Sequence, residues 1–162
     1  ADLSAVSVSA GPGSYTGLRI GLSTAKGLCF ALNIPLIAID TLTALKNVIP
    51  SGEMPVIPML DARRMEVYAQ VFDANGKTLQ ELDAIVLTED SFSDFEPFIV
   101  LGDGAAKCKE MWGHRNITWH ENVLCSAKGQ AKIAFEKFQQ KEFEDLAYFI
   151  PIYLKDANGV RR

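Results

Sequence analysis

The sequence is short of the features that mark secreted, membrane and zinc-binding proteins. It has three cysteines, Cys29, Cys108 and Cys125, and no C-x-x-C pair, which argues against a disulfide framework and indicates a reducing compartment. No run of about 18 apolar residues occurs, and the first residues lack a basic stretch followed by an apolar one. We therefore expect a cytoplasmic protein that is neither secreted nor membrane-bound.

Positive charge is also scarce. Sixteen Lys and Arg stand against twenty Asp and Glu, which gives a formal net charge of −4. Because no net basic field is available to attract phosphates, we expect the isolated chain to bind nucleic acid weakly at most, and Arg161 and Arg162 do not offset this. The apolar share of 48% is ordinary for a folded globular protein and excludes disorder, collagen and coiled coil.

The common catalytic motifs are missing. His114 and His120 form neither H-x-x-x-H nor H-E-x-x-H, and Ser14 lies outside a G-x-S-x-G elbow. Gly17 is followed by leucine and arginine, whereas a phosphate-binding P-loop needs lysine at this point. From the sequence we predict no catalytic residue, no metal site and no cofactor, and we do not expect an enzyme.

Regular elements are plentiful and fall into two series. In residues 1–50, hydrophobic periodicity and turn residues predict strand, helix, strand and helix. After a Pro- and Gly-containing linker, residues 51–150 predict three strands, with a hairpin at Asp73–Gly76, followed by helix, strand, helix, strand and helix. Residues 151–162 form a tail. The first series repeats the end of the second without its opening βββα, so we expect an α/β fragment whose first lobe is incomplete.

The segment Gly11–Gly17 joins the first strand to the first helix. Ser14 or Thr16 is suited to cap this helix, whose N-terminus favours an anion in principle. Its glycines are spaced one residue too widely for the dinucleotide fingerprint. Asp40 stands where a ribose-binding acid would lie, but we favour it as the cap of the following short helix.

The first predicted helix offers two faces. Leu18, Leu22 and Ala25 recur at helical spacing on one of them, and Gly17, Gly21, Gly27 and Thr24 supply small residues where another backbone can approach. The residues alone leave two interpretations equally open. The helix packs on its own sheet, or it forms an interface with a partner or a second copy.

Two further turns carry polar residues. Asp61-Ala62-Arg63-Arg64 connects two predicted strands, and we favour a structural turn or a polar partner contact there over catalysis. Leu101-Gly102-Asp103-Gly104-Ala105 is a strand-to-helix turn whose backbone offers room for a nucleotide base. The candidate nucleotide-facing residues are Asp61, Arg63, Gly102, Asp103 and Gly104.

Several segments taken together resemble the TsaB (YeaZ) family of bacterial subunits required for threonylcarbamoylation of adenosine 37 in tRNA. The first runs from Gly11 to Gly21 and holds the motif residues Gly11, Pro12, Gly13, Ser14, Thr16 and Arg19. The Asp61–Tyr68, Leu101–Ala105 and Pro151–Leu154 segments follow in matching order.

This resemblance implies the actin/Hsp70/sugar-kinase (ribonuclease H-like) two-lobed fold. It also implies a non-catalytic subunit that dimerises and binds the catalytic subunit TsaD and the ATPase TsaE, with tRNA met only through the complex. The resemblance assigns the first helix to an interface, formed by Gly17, Leu18, Gly21, Leu22, Thr24 and Ala25. The alternative is a nucleotide-binding enzyme of the same fold, kinase-like or glycoprotease-like.

Overall fold

A computed structural model describes residues 2–50 and 52–155, which form two compact units. Unit 1 combines Ala1–Ala44 with Ala127–Arg162, and unit 2 is the continuous segment Leu45–Ser126. The structure thus divides the chain differently from the predicted 1–50, 51–150 and 151–162, because residues 127–150 return to the first strands. The predicted tail beyond residue 155, with Arg161 and Arg162, lies outside the described residues.

Unit 1 is built on two parallel strands, β1 (Val6–Ser9) and β2 (Leu36–Ile39). Its helices are α1 (Tyr15–Leu32), α2 (Thr41–Lys46), whose last two residues belong to unit 2, and α3 (Ala131–Gln140). Alternate residues of β2 face opposite sides of the sheet. Leu36 packs with the α1 residues Leu22, Ala25 and Cys29, whereas Ile37 and Ile39 pack with α3. Both faces of β2 are therefore covered, which explains its uninterrupted apolar sequence.

Unit 2 contains a five-stranded mixed sheet. Its strands are β3 (Val56–Asp61), β4 (Glu66–Phe72), β5 (Thr78–Val86), β6 (Phe98–Leu101) and β7 (Ile117–His120), in the spatial order β5-β4-β3-β6-β7. β3, β6 and β7 run parallel, and β4 and β5 are antiparallel additions. The predicted Asp73–Gly76 hairpin joins β4 to β5, with Gly76 at φ +88°. The core centres on Trp112, Phe98 and Met59, all fully buried.

The predicted helices of the second series are shorter than expected. Residues 103–108 and 93–95 form 3₁₀ helices, and the last predicted helix begins with a 3₁₀ turn over residues 127–130 before α3. Gly104 explains the first case, because a Cβ there would lie 2.8 Å from the carbonyl carbon of Leu60. The segment is therefore held close to β3. Hydrogen bonds between residues three apart, such as that from the Ala105 N–H to the Gly102 carbonyl (3.2 Å), form in place of the α-helical bonds between residues four apart.

Arg115 fixes the connection between β5 and β6. Its side chain is only 7% exposed and forms an ion pair with Glu96. It also donates hydrogen bonds to the carbonyl oxygens of Glu89 (3.0 Å) and Ser91 (2.9 Å). The guanidinium carbon lies 4.9 Å from the ring centroid of Trp112, within cation–π distance. One side chain thus anchors the whole loop to the core of unit 2.

Candidate functional site

The Gly11–Gly17 turn is closed by the chain's own atoms. The hydroxyl oxygen of Ser14 caps α1 by accepting the Gly17 N–H (3.2 Å), as predicted. Gly11 has φ +106°, and a Cβ there would lie 2.6 Å from the carbonyl oxygen of Ile152. The turn therefore needs glycine because another backbone crosses it.

Arg19, from the same motif, lies on an aromatic cluster. Its guanidinium carbon is 4.3 Å from the ring centroid of Tyr15, and the Tyr15 ring is 5.1 Å from that of Tyr153. A hydrogen bond with Tyr153 is the main reason that the pKa of Arg19 is raised. The cluster therefore holds the cation against the start of α1.

Asp40 caps α2, as predicted. Its Oδ1 accepts a hydrogen bond from the Thr43 N–H at 2.8 Å. Burial raises the pKa of this carboxyl group above its ordinary value. Helix capping therefore explains why an acidic residue occurs at position 40, and no ribose-binding role is needed to explain it.

One face of α1 is buried within unit 1, and the other face is exposed. Leu18, Leu22 and Ala25 are buried within unit 1, and a Cβ on Gly21 would lie 4.0 Å from Cγ2 of Val8. The interface prediction is therefore corrected for these three residues, which lie inside unit 1: Leu22 and Ala25 pack with β1 and β2, and Leu18 lies beside Gly11 and Gly13. Gly17 and Thr24 are exposed.

One stripe along the exposed side of α1 carries no charged residue. We call the α1 stripe the six exposed residues that recur from Gly17 at helical spacing. They are Gly17, Ile20, Thr24, Gly27, Leu28 and Ala31. Ile20 is 63% exposed, and the Thr24 hydroxyl donates to the carbonyl oxygen of Ile20 (2.9 Å), so this polar group is already satisfied. Sequence reasoning missed Ile20, Leu28 and Ala31, although their lack of charge along this spacing was a readable signal.

In unit 2 the parallel strands β3, β6 and β7 end at one edge of the sheet. The Asp61 N–H at the end of β3 donates to Oδ1 of Asp103, which follows β6 (3.0 Å). Lys107 donates to Oδ1 of Asp61 (2.6 Å) and to the carbonyl oxygen of Glu66 (2.9 Å). Burial alone would raise the pKa of Asp61, but Lys107 and the Arg63 N–H together hold it below its usual range. Asp61 is therefore an ionised structural anchor.

A cavity of about 260 Å³ opens at the same edge. Of the candidate nucleotide-facing residues, Gly102 and Asp103 line it, while Asp61, Arg63 and Gly104 do not. Sequence reasoning missed the rest of the lining, because β7 and the loop after it meet the Gly102 turn only in the folded unit. The main added side chains are Lys109, Trp119, His120, Glu121 and Leu124. Lys109 and Glu121 form an ion pair.

Metal-ligating and thiol groups are dispersed. Within residues 2–50 and 52–155, no three His, Cys, Asp or Glu side chains are grouped as a metal site would require. Cys29 and Cys108 are buried free thiols, and burial raises the pKa of Cys108 to about 12. No helix in the described part of the chain is long and apolar enough to cross a membrane.

Comparison with known proteins places these features in a family. A family model described as TsaD, tRNA N6-adenosine threonylcarbamoyltransferase, matches residues 1–160. The tRNA threonylcarbamoyladenosine biosynthesis protein TsaB of Bacillus subtilis (strain 168) is 34% identical over 98% of this chain and 72% of its own length. The chain belongs to the TsaB (YeaZ) family. TsaB of Escherichia coli (strain K12) is 25% identical over 96% of this chain and 72% of its own length.

Solved structures share the fold of this chain. YeaZ from Pseudomonas aeruginosa superposes with a TM-score of 0.75 at 23% identity, covering 94% of this chain and 74% of that one. A second Pseudomonas aeruginosa structure, described as similar to peptidase YEAZ, gives a TM-score of 0.73 at 24% identity, covering 94% of this chain and 74% of that one. Together with the family match over residues 1–160, this confirms the predicted α/β, actin/Hsp70/sugar-kinase-like fold.

Proposed function

We propose that this chain is a non-catalytic scaffold in the biosynthesis of N6-threonylcarbamoyladenosine at position 37 of tRNA. It self-associates, binds the catalytic subunit TsaD and the ATPase TsaE, and meets tRNA only within that complex. Family membership and the names of the TsaB relatives support the pathway. The α1 stripe is the observation that supports the scaffold role.

The composition of the α1 stripe suits close packing of a second helix. Gly17 and Gly27 are exposed, and a Cβ on Gly27 would meet no atom within 4 Å. Glycine at such a position costs about 1 kcal/mol of helix stability relative to alanine and gains nothing within the monomer. A partner helix at close range explains the glycine, because Ile20 and Leu28 then flank a shallow seam.

The contacts of Asp61 and Asp40 support a structural role for both carboxylates. Asp61 is held by Lys107 and by the Arg63 N–H, and Asp40 caps a helix. A catalytic acid or base near neutral pH needs a pKa close to the working pH. The lowered pKa of Asp61 is shifted away from that range.

The test is light scattering coupled to size exclusion, for the chain alone and with the cognate TsaD. Replacing Gly27 by Leu fills the seam and improves helix propensity, so we expect association to fall at least about tenfold while thermal stability does not fall. Gln139→Leu, at an exposed position of α3, is the matched control and should associate like the wild type. A wild-type chain that is monomeric and does not bind TsaD would refute the scaffold role.

The cavity beside Gly102 supports a second candidate function, the binding of a nucleotide by an enzyme of the same fold. Its lining combines the Trp119 ring with Asp103 and the Lys109–Glu121 pair, a mixture of apolar and polar groups typical of ligand pockets. Titration calorimetry with ATP tests whether the cavity binds a nucleotide. Saturable binding that is lost in Asp103→Asn or Lys109→Met would favour this alternative over a pure scaffold.

A further inference from the structure

The turn between β3 and β4 places two arginines in a conformation that arginine seldom adopts. Arg63 has φ +71° and Arg64 has φ +50°. Glycine and asparagine enter this left-handed region at much lower cost than a long side chain does. Arginine at positions 63 and 64 therefore carries a backbone penalty.

The backbone of the turn does not depend on the two guanidinium groups. Oδ1 of Asp61 accepts the Arg63 N–H at 2.6 Å, and the Glu66 N–H donates to the Arg63 carbonyl at 3.1 Å. Lys107 in turn holds Asp61. Within the part of the chain that the structure describes, neither arginine forms an ion pair. A rigid turn thus presents two adjacent exposed cations.

Two exposed apolar residues adjoin the turn, one in sequence and one across the sheet. Met65 follows directly and is 43% exposed, and Val86 is 64% exposed on the neighbouring strand. Val86 is paired with Glu66 in the sheet, and the Leu87 N–H donates to the Met65 carbonyl at 2.8 Å. We call Arg63, Arg64, Met65 and Val86 the arginine patch. Arg and Met are enriched in protein interfaces, where Arg often dominates the binding energy.

We propose that the arginine patch docks a partner protein through carboxylate side chains that pair with Arg63 and Arg64. Arginine presents its donors in a planar fork that matches a carboxylate. Because the turn is already fixed, little backbone order is lost on binding. This inference rests on the proposed scaffold function, since the partners expected there are the other proteins of the complex.

Charge favours a protein over a nucleic acid at this patch. Unit 2 holds seven Lys and Arg against thirteen Asp and Glu, a net charge of −6. Nucleic-acid sites are marked by an extended basic stripe, because phosphates follow one another at short intervals. Here the acidic side chain of Asp61 lies beside the arginines, and Asp103 hydrogen-bonds its backbone. One or two carboxylates fit this pattern, whereas a phosphodiester chain would meet repulsion.

The decisive variant exchanges Arg63 for Asn and Arg64 for Gly in the full chain. This removes both guanidinium groups and supplies residues that suit positive φ, so the midpoint of thermal unfolding should rise or stay constant. Binding to the cognate TsaD or TsaE, measured by interferometry at low and physiological salt, should weaken about tenfold or more. Lys77→Asn, which removes an exposed cation from the β4–β5 turn, is the matched control and should bind like the wild type.

A second variant identifies the opposing groups. Arg64→Lys places a primary amine in the patch, and carbodiimide then joins that amine to a carboxylate in direct contact. We expect a cross-link from residue 64 to an Asp or Glu of TsaD or TsaE. The control variant Gln139→Lys, at an exposed position of α3, should give no such cross-link.

The outcomes separate the two proposals. If the wild type binds neither subunit, the scaffold function fails and the docking role falls with it. If the wild type assembles and the Arg63→Asn/Arg64→Gly variant assembles equally well, the scaffold function stands and the arginine patch is not a docking site. Unchanged protein assembly with lost tRNA affinity of the complex would instead assign the patch to RNA and overturn the inference.

Discussion

Removal of the Arg115 side chain should destabilise unit 2 more than most single substitutions. The change Arg115→Ala breaks an ion pair with Glu96 and two hydrogen bonds to carbonyl oxygens, and it uncovers the Trp112 ring. Breaking a buried ion pair by removing one partner costs about 3–5 kcal/mol. Glu96 is only partly buried, which places the expected loss near the lower end, about 3 kcal/mol.

Urea unfolding followed by tryptophan fluorescence measures this loss. Both tryptophans, Trp112 and Trp119, lie in unit 2, so the signal reports this unit. Arg115→Lys keeps the positive charge but loses the planar guanidinium group that donates several hydrogen bonds at once. We therefore expect about half the loss in the free energy of unfolding, roughly 1–2 kcal/mol. Glu96→Ala and the double variant complete a cycle that isolates the ion pair.

A small effect would refute the reasoning. If Arg115→Ala lowers the free energy of unfolding by less than about 1 kcal/mol, the anchor is no better than an exposed salt bridge. The loop from Thr88 to Pro97 would then be held mainly by the hydrogen bond from Nε1 of Trp112 to the Thr88 carbonyl.

Two further predictions concern Gly102 and Asp61. Gly102→Ala should prevent unit 2 from folding, seen as lost tryptophan burial, because φ is +99° and a Cβ would clash with the Met59 carbonyl oxygen; a native-like fluorescence spectrum would contradict this. Lys107→Met should reduce stability near neutral pH. The part of the difference due to Asp61 should begin to shrink as pH falls below about 4, the ordinary pKa of Asp, and should be lost below the lowered pKa of folded Asp61. The sign follows from a folded-state pKa that lies below the unfolded value; a difference in urea midpoint that is constant with pH would exclude it.

Local signals predicted most of the strands and the start of α1. The alternation around Val6 and Val8, the apolar run of β2 and the cap of α1 each act over a few residues. The structure confirms both strands, and of the two caps predicted, Ser14 and Thr16, it shows Ser14. The Asp40 cap is another case, because an Asx group before a helix needs no distant partner.

Long-range packing could not be predicted in the same way. The burial of Leu22 and Ala25 depends on β1 and on Leu146 and Phe149, which are far away in sequence. The packing of α3 on β2 also joins distant segments. The boundary predicted from the linker near Pro50 therefore differs from the observed boundaries, which follow Ala44 and Ser126. The cavity forms where two separate segments meet, and only the Gly102 turn was recognisable from the sequence.

The division of unit 1 into two stretches affects how the chain acquires its structure during synthesis. Leu45–Ser126 leaves the ribosome between them, which takes roughly 4–16 s at ordinary elongation rates of about 5–20 residues per second. During that interval β2 lacks α3, and Gly11 lacks the crossing segment at Ile152. Unit 2 has every strand it needs as soon as it emerges, so the half that carries the α1 stripe is the last to be completed and the one most exposed to early association.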